Sequence, residues 1–264
     1  MITGHTRLFG ILGHPIGHVR TPQVLNAAFA ERGHDGVMMP MDVAPNDLAE
    51  TVAGLAHVKN FRGAVVTVPH KTAILRLCSV VSPRARLAGA ANIFRPTGDG
   101  RLHADLFDGE GFVAGLSMSG YDVKGMRVWL LGAGGAARAI ALALAEHGAD
   151  GITISNRSPF KSRDLVDALR PLFPKTDFTD RGDPAGHDLI VNATSLGLEP
   201  GDALPVDSAR LRPEMVVADV IMNSELTPFL AAAREIGCAV HPGRKMLEGQ
   251  LDRILEFLVD PTAP

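Results

Sequence analysis

Short apolar runs alternate with segments of helical periodicity along the first half of the chain. Residues 8–13 and 61–68 are rich in apolar and β-branched side chains, which predicts two strands, the second ending before a proline. Residues 21–32 carry apolar positions at helical spacing with a proline near the first turn, which predicts a helix. A further helix is predicted to begin at Thr72.

The second half of the chain continues this alternation. The apolar run 127–131 predicts a buried strand, and the alanine- and leucine-rich segment 136–147 predicts a helix. Three more strands are predicted at 151–155, 188–191 and 215–219. Strands and helices that alternate in this way predict parallel sheets joined by right-handed crossovers.

The last apolar pattern places residues 247, 251, 254 and 258 on one face of a helix over 246–258. Together, these segments predict an α/β fold with two domains. The predicted domains are 1–104 plus 241–264, and 105–240.

Composition narrows the class of protein. The chain has 264 residues, of which 46% are hydrophobic and 21% charged, and its net charge of -3 argues against a nucleic-acid partner. It has no apolar run long enough for a membrane span, and its first residues lack a signal-peptide core. Cys78 and Cys238 show no metal-binding or disulfide spacing, so no metal and a cytoplasmic location are expected.

A glycine-rich turn follows the best-defined strand, and it reads Gly132-Ala133-Gly134-Gly135-Ala136 at the start of the helix. Such a turn lets the backbone approach a pyrophosphate, while the helix N-terminus supplies free N–H groups and a positive dipole. These five residues are therefore candidate cofactor contacts. The alternative is a tight turn that binds nothing.

The next strand indicates which dinucleotide is bound. A carboxylate that holds the ribose 2′-OH of NAD is absent there, and the chain instead has Asn156-Arg157-Ser158 with Lys161 and Arg163 nearby. Cations suit a 2′-phosphate, which favours NADP over NAD, although NAD stays possible. The alternative is a solvated basic loop.

Three further residues are candidates for chemistry. Lys71 lies just past a predicted strand, where ligands bind in open α/β sheets. Asp108 lies at the junction of the two predicted domains, and Asn92 lies in a glycine-containing turn. Each of these residues taken alone is more often structural than catalytic.

Taken together, these segments resemble the shikimate dehydrogenase family over nearly the whole chain. The matching segments are Gly13-His14-Pro15-Ile16-Gly17-His18, Thr67-Val68-Pro69-His70-Lys71, Leu87-Ala88-Gly89-Ala90-Ala91-Asn92, Asp108-Gly109 before Gly111-Phe112, Gly132 to Arg138, Asn156-Arg157-Ser158, Asn192-Ala193-Thr194-Ser195 and Thr227-Pro228-Phe229. The resemblance implies an N-terminal α/β substrate-binding domain, a Rossmann-type doubly wound nucleotide-binding domain and an active site in the cleft between them. It also implies NADP(H)- or NAD(H)-dependent interconversion of 3-dehydroshikimate and shikimate, or oxidation of quinate, in the chorismate pathway of aromatic amino acid biosynthesis.

The resemblance also assigns roles to residues. Lys71 matches the family's catalytic lysine and Asp108 matches its partner aspartate. The positions that match substrate contacts are Thr21, Thr67, Asn92 and Gln250. Those that match cofactor contacts are Gly132, Ala133, Gly134, Gly135, Ala136, Asn156, Arg157, Ser158, Lys161, Asn192 and Thr194. The implied partner is a small hydroxy or keto acid, with the protein a monomer or a homodimer.

The chain departs from the family pattern at the substrate end. Val19, Val65, Leu106, Phe107 and Met222 replace polar residues that are common there. Arg20 either pairs with a substrate carboxylate or points to solvent. Three hypotheses follow: a shikimate or quinate dehydrogenase, a dehydrogenase of a less polar hydroxy compound, and a nucleotide-binding module with dormant chemistry.

Overall fold

The computed structural model describes residues 1–180, 182–222 and 224–259, and it divides into two compact units. One unit contains Met1–Phe107 and the chain from Leu251 onward, and the other contains Asp108–Gln250. Both units are α/β, as predicted. The predicted domain boundaries at 104 and 241 stay a prediction, and residues 181, 223 and 260–264 lie outside the described residues.

The first unit is built on a six-stranded sheet. Its strands are β1 (Arg7–Gly13), β2 (Gly36–Asp42), β3 (Phe61–Val66), β4 (Val80–Val81), β5 (Ile93–Pro96) and β6 (Leu102–Asp105), in the order β2-β1-β3-β5-β6-β4. Its helices are α1 (Thr21–Glu31), α2 (Leu48–Ala56) and α3 (Pro83–Ala88), with 3₁₀ turns at Pro45–Asp47 and Ile74–Leu77.

This sheet is mixed, so the expectation of purely parallel strands is wrong for the first unit. β5 runs antiparallel to both β3 and β6. A short turn over 97–101 joins β5 to β6, with the amide of Thr97 donating to the carbonyl of Arg101 at 2.8 Å. Antiparallel strands need only such a turn, whereas parallel ones need a long crossover. The helix predicted from Thr72 is also wrong, since only the 3₁₀ turn forms there.

The second unit contains an all-parallel sheet of six strands. They are β7 (Arg127–Leu131), β8 (Gly151–Ser155), β9 (Asp177–Thr179), β10 (Leu189–Asn192), β11 (Val216–Asp219) and β12 (Ala239–His241), in the order β12-β11-β10-β7-β8-β9. The helices are α4 (Asp108–Met118), α5 (Gly135–Glu146), α6 (Pro159–Leu169) and α7 (Pro228–Ile236), with a 3₁₀ turn at Ser208–Arg210. This order is that of a doubly wound Rossmann sheet.

The central strand β7 explains why its sequence is an unbroken apolar run. Val128 and Leu130 pack into a cluster with α4, α5 and α6, whereas Trp129 and Leu131 pack into a second cluster with α7. A parallel strand covered by helices on both faces has no solvent side and needs no polar alternation. The sequence pattern and the two-sided core therefore have one cause.

The last helix, α8 (Arg244–Val259), begins in the second unit and ends in the first. In the second unit, it packs against α4 through glycines. A β-carbon added at Gly115 would lie 2.5 Å from the carbonyl oxygen of Lys245, and one at Gly249 would lie 2.2 Å from that of Gly111. The backbones of α4 and α8 therefore approach more closely than side chains at these positions would allow. This close contact holds α4 against α8.

Replacing Gly115 tests this close approach. Gly115→Ala is expected to lower the free energy of unfolding by about 1–3 kcal/mol, because the added methyl group forces the two backbones apart. The control is Gly54→Ala in α2, where an added β-carbon would have no neighbour within 4 Å. That variant is expected to gain up to about 1 kcal/mol from helix propensity. Urea unfolding measures both changes, and a Gly115→Ala variant as stable as the parent would contradict the packing.

Candidate active site

The candidate lysine lies at one edge of the first sheet. Thr67 and Lys71 follow the carboxyl end of β3, and the buried His70 anchors the turn between them, with its Nε2 2.7 Å from the carbonyl oxygen of Val43. The amide of Thr67 donates to the carbonyl of Leu12 at 2.9 Å, which ties this turn to the end of β1. The turn that carries Lys71 is therefore held from two sides.

Asn92 lies at the same edge because β5 is antiparallel. The first residues of β5 adjoin the last residues of β3, and the amide of Val66 donates to the carbonyl of Asn92 at 2.7 Å. The amide of Ala91 donates to the carbonyl of Lys71 at 2.8 Å. Thr67, Lys71 and Asn92 are thus brought together at this edge of the first unit.

The same edge carries a partly buried hydrogen-bond network that the sequence analysis missed. The carboxylate of Asp105, at the end of β6, accepts hydrogen bonds from Arg84 Nε at 2.8 Å and from Arg84 Nη2 at 2.9 Å. It also accepts from the Ser82 hydroxyl and, at 2.7 Å, from the amide of Leu106. Asn92 Oδ1 accepts from the amide of Phe107 at 2.8 Å. The chain that leads to Asp108 is therefore held by side chains.

Asp105 is charged at neutral pH. Burial disfavours the carboxylate, but the hydrogen bonds from Arg84 and Ser82 and the charge of Arg84 outweigh burial and hold the pKa of Asp105 below its ordinary value. The sequence does not reveal that Asp105 has these donors, because Ser82 and Arg84 belong to a different turn of the chain.

Most of the apolar residues that replace common polar ones in the family pattern pack in the interior of the first unit. Val65 and Phe107 are buried in the hydrophobic core of the first unit, and Val19 packs against the same cluster. Leu106 is also buried. At these positions, apolar side chains that pack in the core therefore stand where the family commonly has polar side chains.

The remaining predicted residues of this end have different surroundings. Thr21 is buried as the first residue of α1, and Arg20, which precedes that helix, is exposed. Met222 follows β11 in the second unit and is half-buried.

Asp108 and Gln250 both belong to the second unit and are both buried. Asp108 is the first residue of α4, and Gln250 lies on α8. A β-carbon added at Gly111 would lie 2.7 Å from the β-carbon of Gln250, so α4 and the Gln250 region of α8 are in close contact.

The glycine turn predicted to contact the pyrophosphate follows β7 and leaves no room for a side chain at its first residue. Gly132 has a φ of +120°, and an added β-carbon would lie 2.7 Å from the carbonyl oxygen of Ala193, so only glycine fits. Ala133 is buried, whereas Gly134 is exposed and a β-carbon there would have no neighbour within 4 Å. Gly135 and Ala136 open α5, and among the described residues no side chain caps this helix. The backbone N–H groups of its first turn are thus available to an anion.

The predicted 2′-phosphate residues follow β8. Asn156 Nδ2 donates to the carbonyl of Ser158 at 3.0 Å, which shapes the turn before α6. Arg157 and Lys161 are exposed, and neither forms an ion pair with a described carboxylate. Arg163 differs, since its Nε lies 3.2 Å from Asp180 Oδ2. Arg157 and Lys161 are therefore two exposed cations at this turn that no described carboxylate pairs with.

Asn192 and Thr194 form a turn after β10. Asn192 Oδ1 accepts from the hydroxyl of Thr194 at 2.7 Å, and its Nδ2 donates to the carbonyl of Leu196 at 2.9 Å and to Asp219 at 3.2 Å. Asp219, which sequence analysis missed, also accepts from the Thr227 hydroxyl at 2.8 Å. Burial raises the pKa of Asp219 despite these donors. The described contacts of Asn192 therefore hold this loop in place.

The described part of the chain offers neither a metal site nor a membrane-spanning helix. No group of three or more histidine, cysteine, aspartate or glutamate side chains there is arranged to hold a metal ion. No helix there has the length and apolar character required to span a membrane.

Comparison with known proteins assigns the family. A profile described as the shikimate dehydrogenase substrate binding domain matches residues 11–94, and one described as shikimate / quinate 5-dehydrogenase matches residues 116–195. A shikimate dehydrogenase (NADP(+)) of Acidiphilium cryptum strain JF-5 is 40% identical over 249 residues, which cover 94% of this chain and 88% of the relative. The chain belongs to the shikimate dehydrogenase family.

Solved structures agree with this membership and with the predicted fold class. A shikimate dehydrogenase in complex with NADP⁺ has a TM-score of 0.89 at 31% identity, covering 98% of this chain and 92% of its own. The ligand-free 5-ketofructose reductase of Gluconobacter sp. strain CHM43 has a TM-score of 0.85 at 34% identity. The match covers 97% of this chain and 94% of the reductase chain. The family predicted from the motifs is confirmed.

A serine at position 134 tests the glycine turn of this family member. Gly134→Ser is expected to keep or raise the melting temperature of the ligand-free protein, because serine is a good N-cap at an unhindered position. It is expected to weaken NADP⁺ binding at least about tenfold, because the side chain occupies the approach to the free N–H groups.

Isothermal titration calorimetry measures the affinity, and Gly98→Ser is the control, since an added β-carbon there also has no neighbour within 4 Å. Unchanged NADP⁺ affinity in Gly134→Ser would rule out this turn as the pyrophosphate site.

Proposed function

We propose that the chain catalyses reversible NADP(H)-dependent oxidation of a ring hydroxyl group, interconverting shikimate and 3-dehydroshikimate or oxidising quinate. The observation that carries the proposal is the hydrogen bond from the amide of Ala91 to the carbonyl of Lys71, which sets the lysine turn beside Asn92. An ammonium group and an amide at one sheet edge suit a substrate that presents both a reacting oxygen and neighbouring hydroxyl groups.

Each residue has a proposed role in this reaction. The ammonium group of Lys71 stabilises negative charge on the substrate oxygen and gives it a proton in the reducing direction. Asp108 is the proposed partner carboxylate of Lys71. Thr67 and Asn92 donate to or accept from the substrate hydroxyls, and Thr21 and Gln250 are the other proposed substrate contacts.

The residues of the second unit suit NADP(H). The free N–H groups at the start of α5 would hold the pyrophosphate, while Arg157, Lys161 and the Asn156–Ser158 turn would hold the 2′-phosphate. Asn192 and Thr194 shape the loop whose Ala193 carbonyl lies against Gly132 of the glycine turn. Bound NADP(H) supplies the hydride chemistry, and the chain supplies binding, orientation and the proton.

The proposal extends to the setting of the protein. A small hydroxy or keto acid is the proposed partner, and a monomer or homodimer in the cytoplasm is the proposed state. The buried, unpaired thiols of Cys78 and Cys238 suit a reducing compartment.

Lys71→Ala tests the proposed chemistry. The variant is expected to lose about 10²–10⁴-fold in kcat with shikimate, because the proton donor is removed. Its NADP⁺ affinity is expected to stay unchanged, since Lys71 belongs to the first unit. Lys59→Ala, at an exposed position of the same unit, is the matched control and is expected to keep full activity. Undiminished turnover in Lys71→Ala would remove the lysine from the mechanism.

Arg157→Ala and Lys161→Ala test cofactor choice. Each is expected to weaken NADP⁺ binding about tenfold or more while leaving NAD⁺ binding unchanged, because only NADP⁺ carries the 2′-phosphate. Arg163→Ala is the control, since that guanidinium is already paired with Asp180. Equal losses for both dinucleotides would contradict the assignment of these cations.

A second candidate function is oxidation of an uncharged hydroxy compound. Val19, Val65 and Phe107 pack into one hydrophobic cluster where polar residues are common in the family, and the Gluconobacter relative is a 5-ketofructose reductase. The kcat/KM for shikimate, quinate and a panel of uncharged cyclic and branched polyols distinguishes the two functions. NADP⁺ binding without turnover of any compound would instead indicate a module with dormant chemistry.

A further inference from the structure

We propose that Arg84 is a positioning residue, which fixes the backbone of residues 105–107 and so holds the segment that immediately precedes Asp108. The inference that this affects catalysis rests on the proposed function. The structural part of the inference, that Arg84 immobilises this segment, does not.

Three chain segments converge on this point because of the sheet order. β4 is parallel to β6, and β5 is antiparallel to it, so the end of β4, the end of β6 and the start of β5 share one edge. Ser82 and Arg84 follow β4, Asp105 ends β6 and Asn92 precedes β5. Residues far apart in sequence are thereby brought to the two residues that precede Asp108.

The contacts restrain two successive peptide groups. The amide of Leu106 donates to Asp105 Oδ1 at 2.7 Å, and the amide of Phe107 donates to Asn92 Oδ1 at 2.8 Å. The guanidinium of Arg84 binds Asp105 through both carboxylate oxygens and lies 4.9 Å from the centroid of the Phe107 ring. The Arg84 side chain thus contacts both the Asp105 carboxylate, which accepts from the amide of Leu106, and the ring of Phe107.

Only arginine satisfies both contacts at once. A planar guanidinium makes two parallel hydrogen bonds to a carboxylate and stacks on an aromatic face, whereas an ammonium group is a point charge without a flat surface. Loss of the pair leaves the Asp105 carboxylate buried without its main cation, so its hold on the amide of Leu106 weakens. Because misplacement of a reacting group by about 1 Å can cost about 100-fold in rate, a small movement of Asp108 suffices to lower kcat.

Hydrogen–deuterium exchange detected by mass spectrometry tests the structural part on the full chain. In Arg84→Ala, the peptide that contains residues 105–108 is expected to exchange at least about tenfold faster, while the peptide over β1 keeps its rate. Arg84→Lys is expected to give a smaller increase at the same peptide. The control is Arg86→Ala, which removes an exposed arginine from the same helix and is expected to change neither peptide.

Steady-state kinetics test the catalytic part. Arg84→Ala is expected to lose about 10–100-fold in kcat with NADP⁺ affinity unchanged, and Arg84→Lys to recover part of that loss. Unchanged exchange at 105–108, or faster exchange throughout the first unit, would overturn the inference. If Arg84→Ala does not fold, Arg84→Lys decides by the same peptide. A parent protein without turnover would contradict the proposed function, and the exchange result would still decide whether Arg84 restrains this segment.

Discussion

The arrangement of both candidate sites depends on one constraint, which is that strands of the same direction end at the same edge of a sheet. In the second unit all six strands are parallel, so the glycine turn after β7, the basic turn after β8 and the Asn192 turn after β10 share an edge. In the first unit the reversed strand β5 is what places Asn92 beside the turn that follows β3. The order and direction of the strands therefore bring together those candidate residues that lie just beyond strand ends.

A second feature is the set of hydrogen bonds that polar side chains make within the first unit, at the edge that carries Lys71 and Asn92. Arg84 and Asp105 pair with each other, and the oxygen of the Asn92 side chain accepts from the amide of Phe107. Meanwhile Val65 and Phe107 contribute to the hydrophobic core of the first unit. A partly buried ion pair of this kind adds little net stability compared with apolar packing, but its hydrogen bonds specify geometry. This edge thus combines a hydrogen-bonded polar network with buried apolar side chains.

The sequence predicted secondary structure correctly where a local pattern of apolar residues or glycines is compatible with only one kind of element. The run 127–131 and the segment 151–155 are strands with the predicted bounds, and the Gly132 turn lies between strand and helix as predicted. The pattern failed where pairing is non-local: β5 and β6 are too short to show periodicity, and the direction of β5 depends on a turn at 97–101. Asp105, Arg84 and Asp219 escaped notice for the same reason, since each acts through partners from other loops.

The proposed reaction moves a hydride between a nicotinamide and a carbon atom of the substrate. The most direct measurement follows deuterium from NADPH that carries the label at nicotinamide C4 on the transferred face, with 3-dehydroshikimate and a panel of uncharged cyclic ketones as acceptors. We expect the reduced product to gain one mass unit and the nicotinamide to lose its deuterium. Product that forms without the label, or labelled NADPH that stays intact with every acceptor, would contradict the account.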